Sequence, residues 1–69
     1  MFNKAKFKAQ MILAGINYKE LAKKLGINES TLHRKISADG NFTRKEINDL
    51  IIILNIRDPE EIFFVEELA

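Results

Sequence analysis

The chain has 69 residues, a formal net charge of +1, one histidine and no cysteine, which bounds it to a single domain, residues 1–69, near the size limit for folding without a staple or a partner subunit. Without thiols there is no disulfide framework or thiolate metal site, and one histidine cannot hold zinc, so neither metal nor cofactor is expected. The longest apolar run, Leu50 to Leu54, is too short for a membrane span, and Lys4, Lys6 and Lys8 lack a signal peptide's apolar stretch, so a cytoplasmic protein with no membrane partner is expected.

Five segments follow in chain order, each opening on a residue whose side chain accepts hydrogen bonds from a first helical turn. Asn3 predicts a helix over 3–14, with Phe2 and Phe7 as the apolar pair that staples its start and Gly15 beyond its end. Asn17 with Glu20 forms a capping-box pattern for 17–25, stapled by Ile16 and Leu21 and closed by Gly26. Asn28 opens 28–37, with Ile27 and Leu32 as its staple. After the turn chemistry of Ala38-Asp39-Gly40-Asn41, Phe42 and Ile47 staple a helix over 43–54, and Thr43 with Glu46 repeats the box. Asp58 with Glu61, and Pro59 at the first helical position, predict a last helix over 58–67. No alternating strand pattern competes, so the fold class is all-α, a compact five-helix domain. Its expected core is Leu21, Ala22, Leu25, Ile27, Leu32, Ile47, Leu50, Ile51, Leu54 and Ile62.

Gly26-Ile27 is too short a link for an antiparallel hairpin and suits two helices that cross steeply. Leu21, Ala22, Leu25, Gly26, Ile27 and Leu32 give the pattern L-A-x-x-L-G-I-x-x-x-x-L. With "GINYKELAKKLGINESTL", "FTRKEINDLIIILNI" and the closing "DPEEIF", the chain resembles the Cro/repressor (XRE-like) helix-turn-helix family of phages, plasmids and bacterial regulators. It looks especially like small regulators of lysogenic phages or integrative elements. The resemblance runs from about Phe7 to Phe63. It implies a lambda-repressor-like domain whose third helix lies in the DNA major groove while the second crosses the backbone.

Helical geometry makes the same surface plausible from the residues alone. With Leu32 facing the core, steps of about 100° bring Ile36 beside it and leave Ser30, Arg34 and Ser37 on the far side, flanked by Thr31 and His33. Base-reading candidates are therefore Glu29, Ser30, Thr31 and Arg34. Arg34 leads, because a guanidinium can donate two bonds to guanine O6 and N7; the competing reading pairs it with an acid or a phosphate. Glu29 admits two roles: acceptor from cytosine N4, or partner of the helix's positive end. Phosphate candidates are Asn17, Tyr18 and Lys19 at the second helix, Asn28, His33, Lys35 and Ser37 along the third, and Asn41, Thr43 and Arg44 before the fourth. His33 is equally readable as an incidental surface residue.

Two positions depart from the family. Where many relatives carry a buried arginine–glutamate pair, this chain has Met11 and Ile36, a joint replacement that spares two charges their desolvation and predicts that the two side chains touch. Lys35 stands where an apolar residue is usual, so its stem is expected along the core and its ammonium in solvent or on a phosphate.

The net charge conceals an asymmetry. Residues 1–45 hold ten Lys/Arg against three acids, hence +7, and residues 46–69 hold Arg57 against seven acids, hence −6. A basic front with an acidic back points to a polyanion on one side. In "EEIFFVEELA", Phe63 and Phe64 lie about 100° apart on a helix and cannot both occupy the core centre, so one is a candidate dimer contact unless both rings wrap the first helix. A two-fold dimer would read a pseudo-palindromic operator in double-stranded DNA, with half-sites about 34–36 Å apart. The expected function is a phage-type repressor or Cro-like transcriptional regulator. The alternative is a protein-interaction module of antitoxin or antirepressor type acting through the acidic aromatic end. No enzyme constellation and no small-molecule substrate are evident.

Overall fold

The computed structural model describes residues 2–63. Its helices are α1 (Lys4–Ala14), α2 (Tyr18–Leu25), α3 (Glu29–Ser37), α4 (Arg44–Ile53) and α5 (Pro59–Phe63), with no strand among the described residues. The first four match the expected segments once the cap residues are counted outside each helix. The expected last helix can be compared only through Phe63, because 64–67 lie outside the described residues.

The helix starts follow local chemistry. Asn3 Oδ1 accepts from the Lys6 amide at 3.0 Å, and complete capping boxes join Asn17 to Glu20 and Thr43 to Glu46. These side chains satisfy amides that a first turn leaves without partners. Two expected caps are corrected. Asn28 has the extended backbone of a cap but makes no side-chain cap bond. Among the described residues no side-chain bond joins Asp58 to Glu61; the Glu61 carboxylate instead accepts from Lys6 Nζ at 3.2 Å. A charge-assisted bond to an ammonium competes well against a neutral amide for the same oxygen.

The helix ends are equally local. Gly15 and Gly26 sit at φ +67° and +74°, and the next amides reach back to Met11 O and Ala22 O at 3.1 and 3.0 Å. That is the Schellman geometry, which needs a left-handed residue and so favours glycine. Gly26 thereby turns α2 sharply into α3.

The core contains Leu21, Ala22, Leu32, Leu50, Leu54 and Ile62 as expected, while Leu25, Ile27, Ile47 and Ile51 are partly buried against it. Met11 and Ile36 both belong to the buried cluster, and no polar or charged residue is buried among the described residues. Absent from the expected core are Phe2, Phe7 and Ile56, which are buried. The Phe2 and Phe7 rings lie 5.2 Å apart, Phe7 stacks on Phe42 at 6.0 Å, and Phe42 meets Phe63 edge-on at 6.4 Å. Phe63, expected as a dimer-contact candidate, is thus a core residue with 8% exposure. Four rings fill a volume that the aliphatic residues of so short a chain leave open. Phe64 lies outside the described residues. This aromatic layer joins α1, α5 and the α3–α4 turn, while α2 packs on both α3 and α4. Asn3 N donates to Ile62 O at 2.7 Å and Gln10 Nε2 to Leu54 O at 2.7 Å, locking the two halves together.

Candidate nucleic-acid interface

Leu32 and Ile36 are buried, with 0% and 3% exposure, so the roll of α3 is the one its periodicity predicts. Ser30, Arg34 and Ser37 are exposed on the remaining face, with Glu29 and His33; Thr31 is half-buried. Arg34 Nη2 donates to Thr31 Oγ1 at 3.3 Å. Among the described residues no acid pairs with Arg34, which leaves most of the guanidinium's five donors available.

The same holds for Lys19 at the start of α2 and Arg44 at the start of α4; both are exposed and neither joins an ion pair among the described residues. Asn17 and Thr43 spend their side-chain oxygens on capping. The side-chain amide N–H donors of Asn17 and the O–H donor of the Thr43 hydroxyl remain to bind a phosphate oxygen. Asn28, without a cap bond, and Asn41 are exposed.

Four residues are less free than their types suggest. The rings of Tyr18 and His33 lie 4.4 Å apart, and His33 Nε2 stands 3.5 Å from Glu29 Oε2. Tyr18, His33 and Glu29 therefore form one chain of contacts from α2 to the first turn of α3. Lys35 does not extend into solvent. Its Nζ lies 3.1 Å from Glu46 Oε1 and 3.3 Å from Asn41 O, and its side chain is only 21% exposed. The same Glu46 oxygen accepts from Thr43 N at 2.8 Å. Burial alone would raise the Glu46 pKa, but the Thr43 amide and the Lys35 ammonium outweigh it and hold the carboxyl below the usual glutamate range. Glu46 reads in the sequence only as a capping residue. Nothing local to either side chain marks its pairing with a lysine on the preceding helix.

A family model for the Cro/C1-type HTH DNA-binding domain matches residues 6–67. The chain belongs to that family. The chain matches no curated protein and no solved structure significantly. Membership makes this Cro/C1-type protein a DNA-binding regulator, the coarse function expected from its helix-turn-helix. An open groove of about 600 Å³, between α1, the α4–α5 turn and α5, is lined by none of the DNA-contact candidates. A reader of duplex DNA needs a protruding helix rather than a cavity, because the major groove supplies the concave surface. Among the described residues no group of three or more His, Asp or Glu side chains could hold a metal ion, and no helix is long and apolar enough to cross a membrane.

Proposed function

We propose that this Cro/C1-type domain is a sequence-specific transcriptional regulator of phage-repressor or Cro-like type that lays α3 in an operator major groove. The observation that carries the reading is the exposed face of α3, where Arg34 is steadied by Thr31 and left without an acid partner among the described residues. Arg34 and Ser30 contact base edges. Asn17 and Lys19 hold the phosphate at one side of the groove, with Asn41, Thr43 and Arg44 at the other. The mechanism is occupancy: a helix in the operator places the protein where polymerase must pass or dock. A homodimer on a pseudo-palindrome doubles the number of bases read, and action in the cytoplasm on bacterial or phage DNA follows from the same reading.

Selection of binding sites from random duplex DNA, followed by salt titration on the selected site, tests this. The expected result is an enriched short half-site and an affinity that falls steeply with salt as counterions return to the released phosphates. No enriched motif at low salt overturns the reading and favours a protein-interaction role.

A further inference from the structure

We propose that Lys35 is a positioning residue for DNA recognition, which through Glu46 fixes α3 against the start of α4 rather than neutralising a phosphate itself. The inference rests on the reading of α3 as the base-reading helix.

Three observations carry it. Lys35–Glu46 is the most enclosed ion pair among the described residues, at 21% and 16% side-chain exposure, against 36% or more for each side chain of the other three. Lys35 also holds the α3–α4 turn from both sides. Its carbonyl accepts from Gly40 N and Asn41 N at 3.0 and 3.2 Å, and its ammonium donates to Asn41 O at 3.3 Å. Finally, Glu46 Oε1 binds the Lys35 ammonium and the Thr43 amide together, while Glu46 N donates to Thr43 Oγ1 at 3.1 Å. A continuous set of bonds thus runs from α3 through Lys35 and Glu46 to the cap of α4.

The consequence is geometric. Arg34, the neighbour of Lys35 on α3, is the proposed base reader, and Asn41, Thr43 and Arg44 are the proposed phosphate contacts. Their separation determines whether a base edge and a backbone phosphate can be reached together, and the Lys35–Glu46 bond sets that separation. The charge arithmetic points the same way. An ammonium already compensated by a carboxylate at 3.1 Å presents little net charge to DNA. Removing both charges together therefore leaves the number of counterions released on binding unchanged.

The test compares the wild type with Lys35→Met, Glu46→Gln, the double variant and Lys35→Arg, with Lys19→Ala as the phosphate-contact control. Affinity for the selected duplex is measured across salt concentrations and for a duplex altered at the base pair that Arg34→Ala identifies. Melting curves establish that each variant is folded under the binding conditions. The double variant Lys35→Met/Glu46→Gln, which removes both charges and leaves the pair's net charge at zero, should weaken binding by about two- to thirtyfold at an unchanged salt slope and should reduce discrimination at the Arg34 base pair. Lys35→Met and Glu46→Gln alone should each reduce that discrimination as well, while their salt slopes shift in opposite directions because each leaves one charge of the pair uncompensated. The double variant should be no worse than Lys35→Met, because the two side chains act as one unit. Lys35→Arg should retain most affinity. Lys19→Ala should lower the salt slope by about one and leave discrimination intact. A slope lowered by about one in the double variant would make Lys35 a phosphate contact and overturn the proposal. So would wild-type affinity and discrimination in the folded double variant. Absence of an enriched site for the wild type is a separate outcome, because it overturns the functional reading on which this rests.

Discussion

The Tyr18 ring lies 4.4 Å from the His33 ring, centroid to centroid, at an interplanar angle of 52°, so the first residue of α2 is packed on the middle of α3. Aromatic contacts of this kind contribute about 0.5–1.5 kcal/mol beyond area burial. Tyr18→Ala should therefore lower unfolding free energy by about 1 kcal/mol, measured by urea denaturation. Tyr18→Phe should leave stability unchanged, because the ring contact does not use the hydroxyl. A loss of DNA affinity in Tyr18→Phe without a loss of stability would separate a phosphate contact from packing.

Gly40 is the most constrained glycine. Its φ is +70°, and a Cβ added there would overlap the Phe2 ring, whereas a Cβ at Gly15, φ +67°, meets nothing within 4 Å. Left-handed backbone alone costs a non-glycine residue about 1–2 kcal/mol. Gly15→Ala should lose about that much. Gly40→Ala should lose more, because Phe2 is buried against Phe7, Phe42 and Phe63 and has little room to move. Equal losses in chemical denaturation would show that Phe2 yields freely.

Glu46 predicts a pH dependence with a definite sign. Its carboxyl is held below the ordinary glutamate value because the Thr43 amide and Lys35 outweigh the cost of burial. The unfolded chain then binds the Glu46 proton more readily than the folded one, so its contribution to stability is fully present above the ordinary glutamate pKa of about 4.3 and is lost as pH falls through the depressed folded value. Glu46→Gln should remove that part of the acid limb in melting curves taken between neutral pH and pH about 3. An unchanged acid limb would mean that other carboxylates dominate it.

Phe63, with 8% exposure, should act on stability within one chain. Phe63→Leu should cost about 1 kcal/mol and Phe63→Ala about 3 kcal/mol or more, through a cavity among the rings. The loss should be independent of protein concentration. If sedimentation instead shows that Phe63→Leu dissociates a dimer at undiminished monomer stability, the ring's place in the core is wrong.

What was legible in the sequence divides by range. Cap and staple residues act over three to five positions, and so Asn17 with Glu20, Thr43 with Glu46, and the glycine turns located the helices. The core face of α3 followed from Leu32 and Ile36 alone. Contacts across the fold were not legible in this way. Phe2 with Phe7 was legible as a staple, and Phe63 as either a dimer contact or a ring wrapped on α1, but that these rings also meet Phe42 depends on α1, α5 and the α3–α4 turn converging. Lys6 took Glu61 from its expected box for the same reason, since nothing near residue 58 announces a lysine from α1. In the candidate interface, residue types and helical spacing predicted the exposed placement of Arg34, while the pairing of Lys35 with Glu46 became visible only once α3 and α4 were placed together.

The central claim is that α3 reads bases through Arg34. Its most direct test is site selection from random duplex DNA with the wild type and Arg34→Ala side by side. The predicted result is the same half-site relaxed at one base pair, at a cost of about 1–3 kcal/mol for the wild-type sequence. An identical motif bound with identical affinity would contradict it, as would a weakening uniform across all sequences.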